Sequence, residues 1–236
     1  MSRGQIANPY DPAGLQAPAV GFELPKNIFR FGEAPLWSTH LLAGGDTIAN
    51  STYRVFTAGR GMVSQGYSNA LTIAETNLKE GGRIPAGVAF SVYGIAAQVM
   101  FSDSTADGGD FNDAAASSAR IGDLLNLQNN MCLSWDFLQT KIDIAPLSLV
   151  GAGGGTGGAV AAADGGVAPA ALTTIGNLSN GFGGCWMYRK YPTELPAQST
   201  FAVELQVGSR AAAISTNSAA VRVVLLGYYK NIIEIG

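Results

Sequence analysis

The chain has 236 residues, 47% of them hydrophobic and only 13% charged, with 31 glycines and a net charge of −3. Its 14 Lys and Arg against 17 Asp and Glu leave no electrostatic footprint for coating a nucleic acid. So few charges mean that small, uncharged side chains cover much of the surface, which suits contact with neighbouring molecules, and the length accommodates one large domain with a core of its own.

In chain order, residues 1–26 come first and carry Pro9, Pro12, Pro18 and Pro25 among Gly, Ala and Asn. That composition predicts an extended arm, because Pro removes backbone donors and fixes φ. Two readings of the arm stand side by side: a disordered tail, or a segment that orders by lying across a neighbouring subunit. Arg3 is followed by no apolar signal region, and no stretch reaches the ~18 apolar residues of a membrane helix, so synthesis and retention in a cytoplasm are expected.

Residues 27–236 read as a single β-rich domain. Runs rich in β-branched and aromatic residues recur at 35–42, 52–57, 69–76, 88–101, 131–138, 140–150, 183–191, 200–207 and 219–229, separated by Gly, Pro, Asn and Asp. Alternation is clearest in Tyr53-Arg54-Val55-Phe56, in Thr140-Lys141-Ile142-Asp143-Ile144 and in residues 201–207, each with one apolar and one polar face. Residues 88–101 and 221–229 are apolar on both faces, as in central strands that need cover on the second side from a helix or another subunit.

One short helix is predicted over 114–127, capped by Asn112 or Asp113, with Ile121, Leu124 and Leu125 at helical spacing and Gly122 as a weak point. Residues 151–169 are Gly- and Ala-rich and read as a long exposed loop. An internal echo links Ile84-Pro85-Ala86 with Phe90 and Val92 to Leu195-Pro196-Ala197 with Phe201 and Val203. In each copy Pro fixes a turn, and Phe and Val two apart share one face of the strand that follows. Two equivalent halves suit a jelly roll built from two Greek keys.

The sequence assigns no catalytic and no cofactor-binding residue. His40 is the sole histidine, without a Gly-x-Ser-x-Gly elbow to pair with it, and reads as a strand histidine satisfied by a backbone partner. The Gly-rich run at 151–158 lacks the Gly-Lys-Ser/Thr ending of a phosphate cradle. Glu75 and Glu80 read as solvent-facing loop charges. No metal site is expected. Asp103, Asp107 and Asp110 are the calcium candidates of low specificity, hard oxygen donors whose spacing does not match an EF-hand; with Asp113 they also read as a solvated loop leading into a helix N-cap.

Cys132 and Cys185 sit in apolar, aromatic contexts where free buried thiols are commoner than a bridge. Trp186, Tyr188, Tyr191, Tyr228 and Tyr229 lie beside Arg189, Lys190 and Lys230, an arrangement expected at a core rim or a subunit interface.

The Pro-rich arm, the succession of strands, the two Pro-Ala-x-x-x-Phe-x-Val devices and the final Val221-Arg222-Val223-Val224-Leu225-Leu226-Gly227-Tyr228-Tyr229 strand together resemble jelly-roll major capsid proteins of icosahedral bacterial viruses. The resemblance covers residues 27–236 in style more than in diagnostic motif. It implies an all-β jelly-roll sandwich of about eight strands in two sheets. It also implies self-assembly into an icosahedral shell in the virion, with copies of itself and minor capsid or vertex proteins as partners. Many such capsids carry a basic arm that binds the genome, and this chain has none. Direct nucleic-acid binding is therefore not expected, and an internal membrane or a separate basic protein is expected beneath the shell. The alternative class is a viral spike or lectin-like β-sandwich module that recognises carbohydrate or a receptor, for which Trp186 with Tyr188 is the candidate surface.

Overall fold

The structure, a computed structural model, describes residues 27–102, 118–137, 140–150, 160–162, 173–175, 186–187 and 192–234. The β-branched and aromatic runs pair into two antiparallel sheets. One is built around the longest strands, β4 (Val88–Phe101) and β12 (Ala219–Glu234), which run together from Ala219 opposite Phe101 to Asn231 opposite Val88. On the far side of β12 lie β1 (Asn27–Glu33) and β2 (Leu36–Leu42), two halves of one strand broken at Ala34-Pro35. On the far side of β4 lie the short β9 (Trp186–Met187) and β10 (Thr193–Leu195). The second sheet has the order β3 (Thr52–Val55), β11 (Phe201–Val207), β5 (Met131–Phe137) and β6 (Thr140–Pro146).

With β1 and β2 counted as one strand, and likewise β9 and β10, and with the separate hairpin of Val160–Ala162 and Thr173–Ile175 set aside, the eight strands of the two sheets pair first with last, second with seventh, third with sixth and fourth with fifth. That is a long antiparallel ribbon. Rolling it up joins β12 to β4 and β11 to β5, which is the jelly-roll arrangement, and the protein is an all-β sandwich of this kind. The core lies between the sheets: Phe90, Val92 and Ile95 from β4 and Val221, Val223 and Leu225 from β12 meet Leu133 and Trp135 from β5 and Val203 and Leu205 from β11. A helix, α1 (Ser118–Asn130), and a 3-10 turn (Leu147–Leu149) close one margin through buried Leu127 and Leu147.

The echoed segments turn out to be neighbours in space. In both, Pro opens a tight turn whose third residue is left-handed, Gly87 at φ 74° and Gln198 at φ 62°, and the fourth-residue amides of Val88 and Ser199 return to Pro85 and Pro196. Leu195 pairs with Phe90, while Ile84 N donates to Ser199 O at 3.2 Å and Phe201 N to Gly82 O at 2.9 Å. Each device therefore launches a central strand of one sheet while bracing the other.

Three sequence expectations are corrected. Residues 69–76 form no strand, only an isolated bridge from Thr76 to Ser38, because they belong to the long connection between β3 and β4 whose main chain bonds to itself and to β2. The helix runs to Asn130, three residues past its expected end, since Asn130 Nδ2 bonds back to Asn126 O and keeps the last turn closed; Asn112 and Asp113 lie outside the described residues. Within the Gly-rich stretch, Val160–Ala162 forms β7, held by pairing with β8 (Thr173–Ile175), whose three residues are all β-branched. The remainder of 151–169, and the arm 1–26, lie outside the described residues.

Candidate functional site

The connection over 56–85 lies along the free edge of β2 and bonds to it. A strand edge leaves unpaired main-chain groups that invite other strands, and β2 is such an edge. Here the connection seals it. Leu41 N donates to Gln65 O (2.9 Å), Trp37 N to Asn77 Oδ1 (2.9 Å) and Asn77 N to Trp37 O (3.3 Å), while Gln65 Nε2 donates to Thr39 O (2.6 Å). Gln65 is the hub. Its buried amide also takes hydrogen bonds at Oε1 from Ser38 Oγ, Thr57 Oγ1 and Ala58 N, and the Ser38 hydroxyl in turn accepts from Phe56 N. Gln65 and Gly66 are successive left-handed residues, and a Cβ at Gly66 would stand 2.2 Å from Leu41 O, so only glycine lets the loop approach this closely.

The same connection covers part of the outer face of the first sheet. Arg222 reaches from β12 to Ala74 O (2.7 Å) and Thr39 Oγ1 (3.3 Å), and Trp37 Nε1 donates to Ile73 O (3.1 Å). The cover expected from a helix or another subunit is thus supplied here by the chain itself. What the connection turns to solvent is apolar: Met62, Val63 and Ile73 are each more than half exposed. From residue 61 to 74 no charged residue occurs. A further cleft of about 400 Å³ opens beside the end of β1, with Leu36, Leu78, Ile84, Val88 and Tyr229 in its lining and Glu33 and Lys79 also bordering it.

The outer face of the second sheet is polar and internally paired. Arg54 bonds to Asp136 and lies 3.4 Å from Glu204, whose other oxygen is 2.5 Å from Lys141 Nζ. Exposed pairs of this sort add little stability but leave no sticky surface.

His40 sits where the sheets meet at the β2–β3 corner, its ring 4.8 Å from Tyr53 and its Nδ1 3.4 Å from Arg54 O. A carbonyl only accepts, so Nδ1 carries the hydrogen, as the strand-histidine reading expects. Burial lowers the His40 pKa from 6.5 to about 4, partly offset by the Arg54 bond. The sign follows from linkage: below pH 6.5 the unfolded chain takes a proton that the folded chain refuses, so stability falls as pH drops from 6.5 towards 4. Between pH 7 and pH 5 this group alone is expected to remove about 2 kcal/mol. Chemical denaturation of the wild type and His40→Gln at both pH values checks it; the variant should lose less by that amount, and equal losses would contradict the placement.

Other expected residues are not brought together. Glu75 is committed to the Thr72 amide and hydroxyl (2.6 Å each), while Glu80 is exposed. Tyr229 packs on Phe90 at 4.7 Å in the core rim. Trp186 takes its place opposite Ile95, whereas Tyr188, Arg189, Lys190 and Tyr191 lie outside the described residues. Asp103, Asp107 and Asp110 also lie outside them, and among the described residues no three His, Cys, Asp or Glu side chains gather as metal ligands. Cys132 is a free thiol 3.4 Å from Ala145 O, its pKa pushed up by burial and by Asp143; Cys185 lies outside the described residues. Among the described residues no helix is long and apolar enough to cross a membrane.

The Gln65 hub went unread in the sequence because its partners lie 7 to 27 positions away. The signal for the surface was present in the uncharged run over 61–74. Comparison with family models, curated proteins and solved structures finds no match to this chain.

Proposed function

We propose that this chain is a structural subunit of a virus shell, one that closes into an icosahedral capsid through contacts between copies. The observation that carries the reading is the combination of a jelly-roll sandwich with a hydrogen-bonded connection that seals the β2 edge and offers Met62, Val63 and Ile73 to solvent. A sealed edge prevents open-ended strand addition, and a firmly held apolar surface favours a defined contact in its place. Fold alone would not carry this, since sandwiches serve many functions. On this reading the partners are copies of the chain together with minor capsid or vertex proteins. The net charge of −3 leaves genome contact to another layer, either a membrane or a basic protein.

The test is assembly of the purified chain beside one that starts at Lys26. The full chain is expected to form large closed particles. The shortened chain should melt at the same temperature yet assemble poorly, because the apolar groups of residues 1–26 would add contacts that multiply across a shell. A full chain that stays monomeric would sink the reading.

A further inference from the structure

The cleft of about 400 Å³ beside the end of β1 opens where two neighbouring strands break at one level: β1 gives way to β2 at Ala34-Pro35, and β12 shifts its register on β4 between Leu226 and Gly227. Buried Leu36, Leu78 and Ile84 make it apolar, and Tyr229, packed on Phe90, lines it too. Asn77 ties the connection to the break, its Nδ2 donating to Pro35 O (2.8 Å) and its Oδ1 accepting from Trp37 N (2.9 Å). Glu33 and Lys79 border the cleft, both exposed, and neither side chain bonds or ion-pairs with any described residue.

We infer that this cleft takes the Pro9-Tyr10-Asp11-Pro12 segment of a neighbouring copy, Tyr10 entering among Leu78, Ile84 and Tyr229 and Asp11 pairing with Lys79. This deepens, and rests on, the self-assembly reading. A proline-flanked aromatic segment suits a preformed apolar cleft, because proline has already given up backbone freedom that docking would otherwise cost. Tyr10 is the only aromatic residue before Phe22 and Asp11 the only acidic one before Glu23, so a single segment carries both a ring for the apolar space and a charge for the free ammonium. Of its four residues only Tyr10 and Asp11 carry a main-chain N–H, and Glu33 is the free acceptor for them.

Where the arm begins says whose cleft it reaches. The chain enters β1 at Asn27, while the cleft lies at the Glu33 end, about 20 Å away at ~3.3 Å per residue. The arm therefore starts at the end of β1 remote from its own cleft. To come back it would have to reverse, against Pro9, Pro12, Pro18 and Pro25, which favour extended backbone. A folded body the size of residues 27–236 measures about 43 Å across. Tyr10, 17 positions before Asn27, reaches about 50 Å when extended and so arrives at the same cleft on an adjoining copy. Phe22 and Leu24 reach no more than about 16 Å and cannot make that crossing.

The experiment uses the full chain. Tyr10→Ser and Lys79→Glu should each melt like the wild type while raising the concentration needed for assembly by at least about tenfold. Adding Asp11→Lys to Lys79→Glu should recover most of that loss, since the pair is then reversed and not removed. Cross-linking tells whose arm is bound. In a Cys132→Ser, Cys185→Ser background, Asp11→Cys and Lys79→Cys chains should give heterodimers with a short bis-maleimide when mixed, and no covalent dimer when each is alone. A chain carrying both of these substitutions that cross-links within itself would place the arm on its own subunit and overturn the proposal. Normal assembly by Tyr10→Ser and Lys79→Glu would overturn it as well while leaving self-assembly intact, whereas a wild-type chain that never assembles removes the underlying reading too.

Discussion

Phe90→Ala and Phe201→Ala are each expected to lower the unfolding free energy by about 3–5 kcal/mol, the range for removing a fully packed aromatic ring from a core. Phe90 is completely buried and packs on Tyr229 with ring centres 4.7 Å apart; Phe201 is 4% exposed and lies 5.5 Å from Phe56 and 6.2 Å from Trp135. Each opens a central strand just after its turn, one in each sheet, so neither cavity can collapse without moving the strand register on which the sandwich depends. Urea titrations below the assembly concentration, with unchanged slope, measure the loss. Gln98→Ala, at an exposed position of β4, serves as the control and should stay within about 0.5 kcal/mol of wild type. Losses below about 1 kcal/mol at both phenylalanines would mean that the echo does not mark the core.

Gln65→Leu keeps the side-chain size and removes every polar contact, and it is expected to cost about 3 kcal/mol or more. Thr39 O loses a 2.6 Å donor, and Ala58 N and the Ser38 and Thr57 hydroxyls lose the amide oxygen, all at a site where the glutamine is 6% exposed. Each buried group left unsatisfied costs about 1–3 kcal/mol, and a leucine side chain offers none of them a partner. The variant should also speed amide exchange at Leu41, whose N–H is held by Gln65 O, and weaken assembly, because the Met62 and Val63 surface rides on the same loop. A variant as stable as wild type, with Leu41 equally protected, would show that the loop is held by other means.

What was legible in the sequence was what depends on near neighbours. The alternation in residues 201–207 and the continuous apolar run over 88–101 placed β11 and β4 almost to the residue, because period and length are local properties. The repeated Pro-Ala device gave both turns and both buried Phe-Val pairs, and it did so because proline and the left-handed third residue act within four positions. Strand β1 escaped notice, since its backbone is fixed by pairing with residues some 200 positions later, at the far end of β12. Residues 69–76 misled for the opposite reason: Leu71 and Ile73 alternate like a strand, but Leu71 is buried beneath the loop while Ile73 faces solvent, and the main chain is spent on contacts to Met62 and Trp37. The edge-sealing site was out of reach for the same reason as β1. A glutamine whose partners come from β2 and the start of the connection carries no local mark of burial.

The measurement that bears most directly on the self-assembling shell subunit is sedimentation velocity of the purified full chain over a wide concentration range, with electron microscopy of the fastest species. Closed assembly through many identical weak contacts predicts monomer and small oligomers up to a threshold concentration, and above it a narrow population of large, uniform particles. A chain that stays monomeric at every concentration, and binds a carbohydrate or receptor saturably as such, would contradict the account and establish a recognition module in its place.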